Sequence, residues 1–196
     1  MISLSLGIAG FLLYLLYDIN SFTRQNPFIH KFFLLGTLLI GSATAYDLLL
    51  AFQLHAFSGA ADMFLLVGAA ACFAALIYCL FFALPFEATY TEQTNNRHVY
   101  DGGVYALCRH PGILCFFGMY LLLGAAALPG SLLIHGMVFS LLNLAYAWFQ
   151  DRITFPRTFC DYEDYQKRIP FLIPTGESIR LARQTWPRAN GEEDDT

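Results

Sequence analysis

The stretch Tyr100-Asp-Gly-Gly-Val-Tyr105-Ala-Leu-Cys-Arg109-His110-Pro111-Gly-Ile-Leu gathers residue types that can hold an anion. Gly102-Gly103 allows a tight turn. Pro111 suits a first helical turn, where its missing N–H would be unpaired anyway. The N–H groups of Gly112, Ile113 and Leu114 then form a helix start that favours negative charge. Arg109 sets beside it a guanidinium that can grip a carboxylate with two bonds. His110 adds a group that can donate or accept a proton near neutral pH. The same residues also fit a plain interfacial anchor ahead of a membrane helix.

Other candidates are more scattered. Asp151 offers a carboxylate just past the last apolar segment, with a surface ion pair to the adjacent Arg152 as the simpler reading. Tyr162 and Tyr165 in the tail offer aromatic faces, or they anchor the tail to an interface. Asp47 is the one charged residue well inside an apolar segment, and such an acid is a functional candidate by default. Glu87 and Glu92 sit in a polar loop; Glu87, like His110, is a candidate proton acceptor. His30, His55 and His135 have no evident partner in sequence, so structural roles are expected. The five cysteines, Cys72, Cys79, Cys108, Cys115 and Cys160, lack C-x-x-C or finger spacing, so no metal site is expected.

Apolar helices must position these residues. The chain has 196 residues, 57% hydrophobic and only 13% charged, against about 25% charged in soluble domains. Apolar segments cover residues 2–17, 32–53, 63–86, 112–128 and 131–149. The expected fold is therefore all-α: a polytopic membrane protein of about five transmembrane helices with a C-terminal tail packed on the helix ends. Residues 1–17 hold no Lys or Arg, unlike a signal peptide, and read as a retained first span. All eleven Lys and Arg fall in 18–31, 87–111 and the tail from 150, which five spans place on one side. The positive-inside rule makes that side cytoplasmic and leaves the N-terminus outside. Pro129-Gly130 is short enough to fold the last two helices into an antiparallel hairpin, bringing residues 109–111 near residue 150. Residues 177–186 suit a short interfacial helix with Arg180 and Arg183 on one side. Disorder is expected from Pro187, through the acidic end Glu192, Glu193, Asp194 and Asp195.

The order of an Arg-His-Pro helix start, a helical hairpin, an acid, Phe, Tyr-x-x-Tyr and Pro-x-x-x-Pro resembles the isoprenylcysteine carboxyl methyltransferase and phospholipid methyltransferase family. The resemblance covers roughly residues 100–174 and divides the chain at 1–99, 100–175 and 176–196. It implies a cytoplasm-facing S-adenosylmethionine pocket and a lipid or lipophilic small-molecule substrate reached from the membrane, here the plasma membrane of a bacterium. Arg109, His110 and Pro111 match the family turn, Gly103 and Tyr105 the Gly-x-Tyr before it, and Tyr162, Tyr165, Pro170 and Pro174 the tail. Asp151 matches the first acid after the last helix. The resemblance implies Arg109 for the methionyl carboxylate, Asp151 for the ribose, and Tyr162, Tyr165 and Phe171 for the adenine. Arg109, His110 and Asp151 are thus the catalytic candidates. Departures are Ile113 in place of Tyr, Cys115 in place of Gly, Arg152 in place of a second acid, and Phe159-Cys160, which stands one residue closer to its Tyr. They motivate the alternative of a non-catalytic binding or accessory relative. A steroid-reductase-like NADPH enzyme is a further alternative. An acidic net charge of -4 and the lack of a basic stripe give nucleic-acid binding no support.

Overall fold

The computed structural model describes residues 1–54, 56–57, 59–83, 97–128 and 130–186. His55, Pro129 and the chain from Pro187 lie outside the described residues. The described residues form helices and connections, with no strand. In chain order these are α1 (Ile2–Phe22), α2 (Pro27–His30), α3 (Phe32–Gln53), α4 (Ala60–Ile77), α5 (Val104–Leu107), α6 (Pro111–Ala126), α7 (Ser131–Phe149), α8 (Phe155–Thr158), α9 (Tyr162–Arg168) and α10 (Gly176–Thr185). Single π-helical turns extend α4 over Tyr78–Phe82 and α7 over Gln150–Thr154.

Four helical stretches are long and apolar enough to cross a membrane: Ile2–Phe22, Pro27–Gln53, Ala60–Phe82 and Ser131–Thr158. The fifth apolar segment forms α6, only 16 residues long. At about 1.5 Å per residue it reaches about 24 Å, short of a hydrocarbon core about 30 Å thick. Large apolar side chains such as Leu34, Leu38, Phe64, Val67, Ile134 and Leu141 point outward and stay exposed. In water this surface would be a severe liability; against lipid it is the ordinary covering of a span.

α1 runs on past Asp18 instead of stopping there. Asp18 is buried rather than terminal, and the Thr154 hydroxyl lies 3.4 Å from its carboxylate. The turn that ends α1 is held by Asn20, whose amide bonds both the N–H and the C=O of Asn26.

Helices pack as antiparallel neighbours: α1 with α3, α4 with α6, and α6 with α7. Glycine sets these approaches. A Cβ on Gly10 would lie 2.8 Å from the Gly36 oxygen, and one on Gly124 would lie 2.5 Å from the Leu133 Cα. Small residues of this kind let membrane helices meet backbone to backbone.

A polar cluster ties α1, α3 and α7 together at the end far from the tail. Asp47 accepts from Ser3 at 2.9 Å and pairs with His135 Nδ1 at 2.8 Å; all three side chains are buried. His135 therefore has a partner that its sequence neighbourhood hides. Ser3 and Asp47 both meet the same imidazole nitrogen, whereas a hydrolase triad needs one on each nitrogen. The cluster acts as a three-helix clasp. Asp47→Leu is expected to lower stability by about 1–3 kcal/mol, because it removes the carboxylate that bonds both partners and leaves only the 3.0 Å Ser3–His135 contact. Thermal unfolding in detergent checks this, with Leu38→Ala at the exposed surface as the neutral reference.

Candidate functional site

Pro156 organises the end of α7. It lacks an N–H and cannot continue the α-helical ladder. The preceding turn shifts to wider pairing, in which the Phe155 N–H donates to the Gln150 oxygen. Such π turns re-aim side chains and recur at functional sites. This one carries Asp151, which is 1% exposed.

Asp151 meets Arg109 at the start of α6. Arg109 Nε donates to Asp151 Oδ1 at 2.7 Å, and Nη2 donates to Oδ2 at 3.0 Å. This is the two-pronged pairing that the guanidinium favours. Asp151 thus pairs across 42 residues, not with the adjacent Arg152. Arg109 Nη1 donates to the tail carbonyls of Gln166, at 3.1 Å, and of Ile169. Burial alone would lower the Arg109 pKa, but the bonds and charge of Asp151 outweigh it and hold it above its usual value.

The tail closes over this pair. Tyr162 OH donates to Asp151 Oδ1 at 2.7 Å. Gln166, one turn later on α9, donates from Nε2 to the Asp151 backbone oxygen at 2.8 Å and to Oδ2 at 3.0 Å. Main-chain bonds continue the seam: Arg109 N–H to the Pro170 oxygen at 2.9 Å, and His110 N–H to the Phe171 oxygen at 3.2 Å. Burial, then the bond to Asp151, pushes the Tyr162 phenol well above its ordinary value, so it stays a neutral donor.

His110 is the unsettled member. Its ring stacks on Phe155 with centroids 5.8 Å apart and tilts against Phe171 at 4.9 Å. Its buried Nε2 lies 3.4 Å from Asp151 Oδ1 and has no hydrogen-bond partner among the described residues. Buried polar groups are normally satisfied, so one left over in a polar cluster is a place where a ligand or water belongs.

Arg109, His110, Pro111, Asp151 and Tyr162 therefore come together. Tyr165 and Tyr105 form a second layer: Tyr165 OH donates to the Tyr105 oxygen at 2.7 Å, and Tyr105 OH donates to the Cys79 oxygen at 2.8 Å. Gly103 stands further off, with φ at 58°, a conformation only glycine adopts without strain; its N–H donates to Thr185 of α10. Pro174 lies just before the Thr175 cap of α10, outside the cluster. α10 packs on α5 and confirms the short helix expected near 177–186. Glu87 and Glu92 lie outside the described residues.

Gln166 and the carbonyl of Ile169 are contributors that sequence reading passes over. The signal for Gln166 is its position four after Tyr162, on the same helical face. A cavity of about 400 Å³ does open in the bundle, but at the far end, lined by Asp47, Leu50, Leu54, Leu128 and Ser131.

No protein-family model matches this chain, and no curated protein or solved structure matches it significantly.

Proposed function

We propose that the protein is a membrane-embedded, S-adenosylmethionine-dependent methyltransferase acting on a lipid or lipophilic small molecule. In this reading α6 completes a fifth span beside the four longer helices. The N-terminus is outside, and the tail and cluster face the cytoplasm. The observation that carries the proposal is the buried His110 Nε2, held between Phe155 and Phe171 beside an Arg-led helix start, with only a long 3.4 Å contact to Asp151 Oδ1 to satisfy it.

The residues present fit a sulfonium-bearing amino acid nucleotide. The helix start and the remaining Nη2 hydrogen of Arg109 suit a carboxylate. The Phe155 and Phe171 rings suit an adenine or a cationic sulfur. S-adenosylmethionine supplies an activated methyl group for in-line displacement, which needs orientation and a dry site more than an acid at the methyl itself. His110 Nε2 is the atom placed to hold a ligand hydroxyl or to take a proton from an acceptor amine or acid.

Asp151 takes a different part from the ribose contact that the resemblance implies. Its oxygens already accept from Arg109, Tyr162 and Gln166, so a ribose hydroxyl would have to displace Gln166. Asp151 is here a positioning residue for Arg109 and the tail. The same saturation favours one second reading, a non-catalytic relative in which the cluster only fastens the tail. Incubating the purified protein with methyl-labelled S-adenosylmethionine and extracted membrane lipid separates the two. Label transfer to lipid that is reduced at least tenfold in His110→Phe supports the enzyme. Cofactor binding without transfer supports the accessory protein.

A further inference from the structure

A second cluster forms where residues 97–99 meet the connection ahead of α9. His98 Nδ1 lies 3.0 Å from Asp161 Oδ2 and 3.6 Å from Cys160 Sγ. One ligand atom from each of the three residues falls within 4.8 Å of the others. We infer that His98, Cys160 and Asp161 form a binding site for a zinc-type divalent metal, with a fourth position open to solvent or to a further ligand.

The spacing carries the inference. With Zn–N and Zn–O near 2.0–2.1 Å and Zn–S near 2.3 Å, tetrahedral geometry sets the ligand atoms about 3.3 Å apart for N and O and about 3.5 Å apart for N and S. The observed 3.0 and 3.6 Å match those edges to within a few tenths of an ångström. A thiolate, an imidazole and a carboxylate together select zinc over magnesium or calcium, which prefer all-oxygen sites.

The ligands are also held in place before any metal arrives. Asp161 Oδ1 accepts from the Val99 N–H at 2.9 Å, leaving Oδ2 turned to His98. That is the outer-shell bond that orients a ligating carboxylate. The Cys160 N–H donates to the Arg97 oxygen at 2.9 Å, fixing the cysteine backbone against the same strip. On binding, the thiol hydrogen of Cys160 leaves as a proton, the imidazole ligates through Nδ1 in its neutral form with its hydrogen on Nε2, and no redox change is involved. All three side chains reach solvent, so the metal has an entry path. The bound ion would fasten residues 97–99 to the start of α9, next to Tyr162. The proposal stands apart from the methyltransferase reading and survives its failure.

Titrating the full-length, untagged protein in detergent with Zn²⁺ should give saturable one-to-one binding. Co²⁺ should give a thiolate-to-metal charge-transfer band with the intense visible absorption of a tetrahedral site. Cys160→Ser and His98→Asn should each weaken Zn²⁺ binding at least tenfold and abolish the charge-transfer band. Both positions are exposed, so unfolding temperatures without metal should match the parent. Absence of saturable binding in the parent would overturn the site. So would undiminished binding in either variant, since it would trace the metal to other groups.

Discussion

Removing either half of the Arg109–Asp151 pair is expected to be the most damaging single change in the protein. Arg109→Ala leaves a carboxylate that is 1% exposed without its cation, and Asp151→Ala leaves a guanidinium buried among carbonyls. Breaking a buried ion pair from one side costs about 3–5 kcal/mol, because the surviving charge has no compensation. Each variant should show a sharply lower unfolding temperature in detergent and early proteolysis of the tail after residue 155. The double replacement Arg109→Met with Asp151→Leu should recover part of that loss, since it leaves no lone buried charge, although Tyr162 OH, Gln166 Nε2 and the Ile169 carbonyl lose their partners. A double variant no more stable than either single one would contradict this role of the Arg109–Asp151 pair. Because these variants disturb folding, loss of cofactor binding in them says little about contact with a ligand.

The second large effect concerns the hairpin that brings Arg109 to Asp151. Gly124 faces Leu133 so closely that a Cβ would meet the Leu133 Cα at 2.5 Å and its Cβ at 2.8 Å. A backbone atom cannot turn aside as a flexible side chain would. Gly124→Val should therefore force α6 and α7 apart and cost about 3 kcal/mol, the upper part of the usual overpacking range. Gly41→Val is the control, since no atom lies within 4 Å of a Cβ there. Unfolding temperatures should separate the two variants clearly. Equal stability would mean that the α6–α7 approach is looser than described.

The elements were more legible in the sequence than their mutual rotation. Residues 32–53 and 131–149 mark α3 and α7 by hydropathy alone. The short connection at residues 129–130 indicated that 109 and 151 meet. The rotation of each helix was not readable, because α3 and α6 are apolar on every face and leave no stripe to say which way they turn. Asp47 and His135 thus looked isolated, although 88 residues apart they lie 2.8 Å from each other. Asp151 stood beside Arg152 in sequence, and only the π turn ahead of Pro156 aims it at Arg109. His98 and Cys160 are 62 residues apart, far outside any local metal-ligand spacing. α1 exceeded its apolar run because the buried Asp18 finds a hydroxyl on the extension of α7. A charge that looked like a helix end therefore became an interior contact.

We propose that the turn at Arg109–Pro111 and the tail over it hold S-adenosylmethionine through His110. His110 Nε2 is buried, so under that proposal a cofactor reaches it only if the tail near Phe171 lifts. Isothermal titration of the full-length protein in nanodiscs with S-adenosylmethionine tests this directly, with His110→Phe as the variant. Phenylalanine keeps a ring between Phe155 and Phe171 but removes the nitrogen. Losing a hydrogen bond to a charged ligand costs about 1.5–3 kcal/mol, equivalent to about tenfold or more in affinity. The expected result is saturable one-to-one binding by the parent, competition by S-adenosylhomocysteine, and at least tenfold weaker binding by a variant of unchanged unfolding temperature. No saturable binding by the parent, preference for NADPH, or equal affinity in His110→Phe would contradict it.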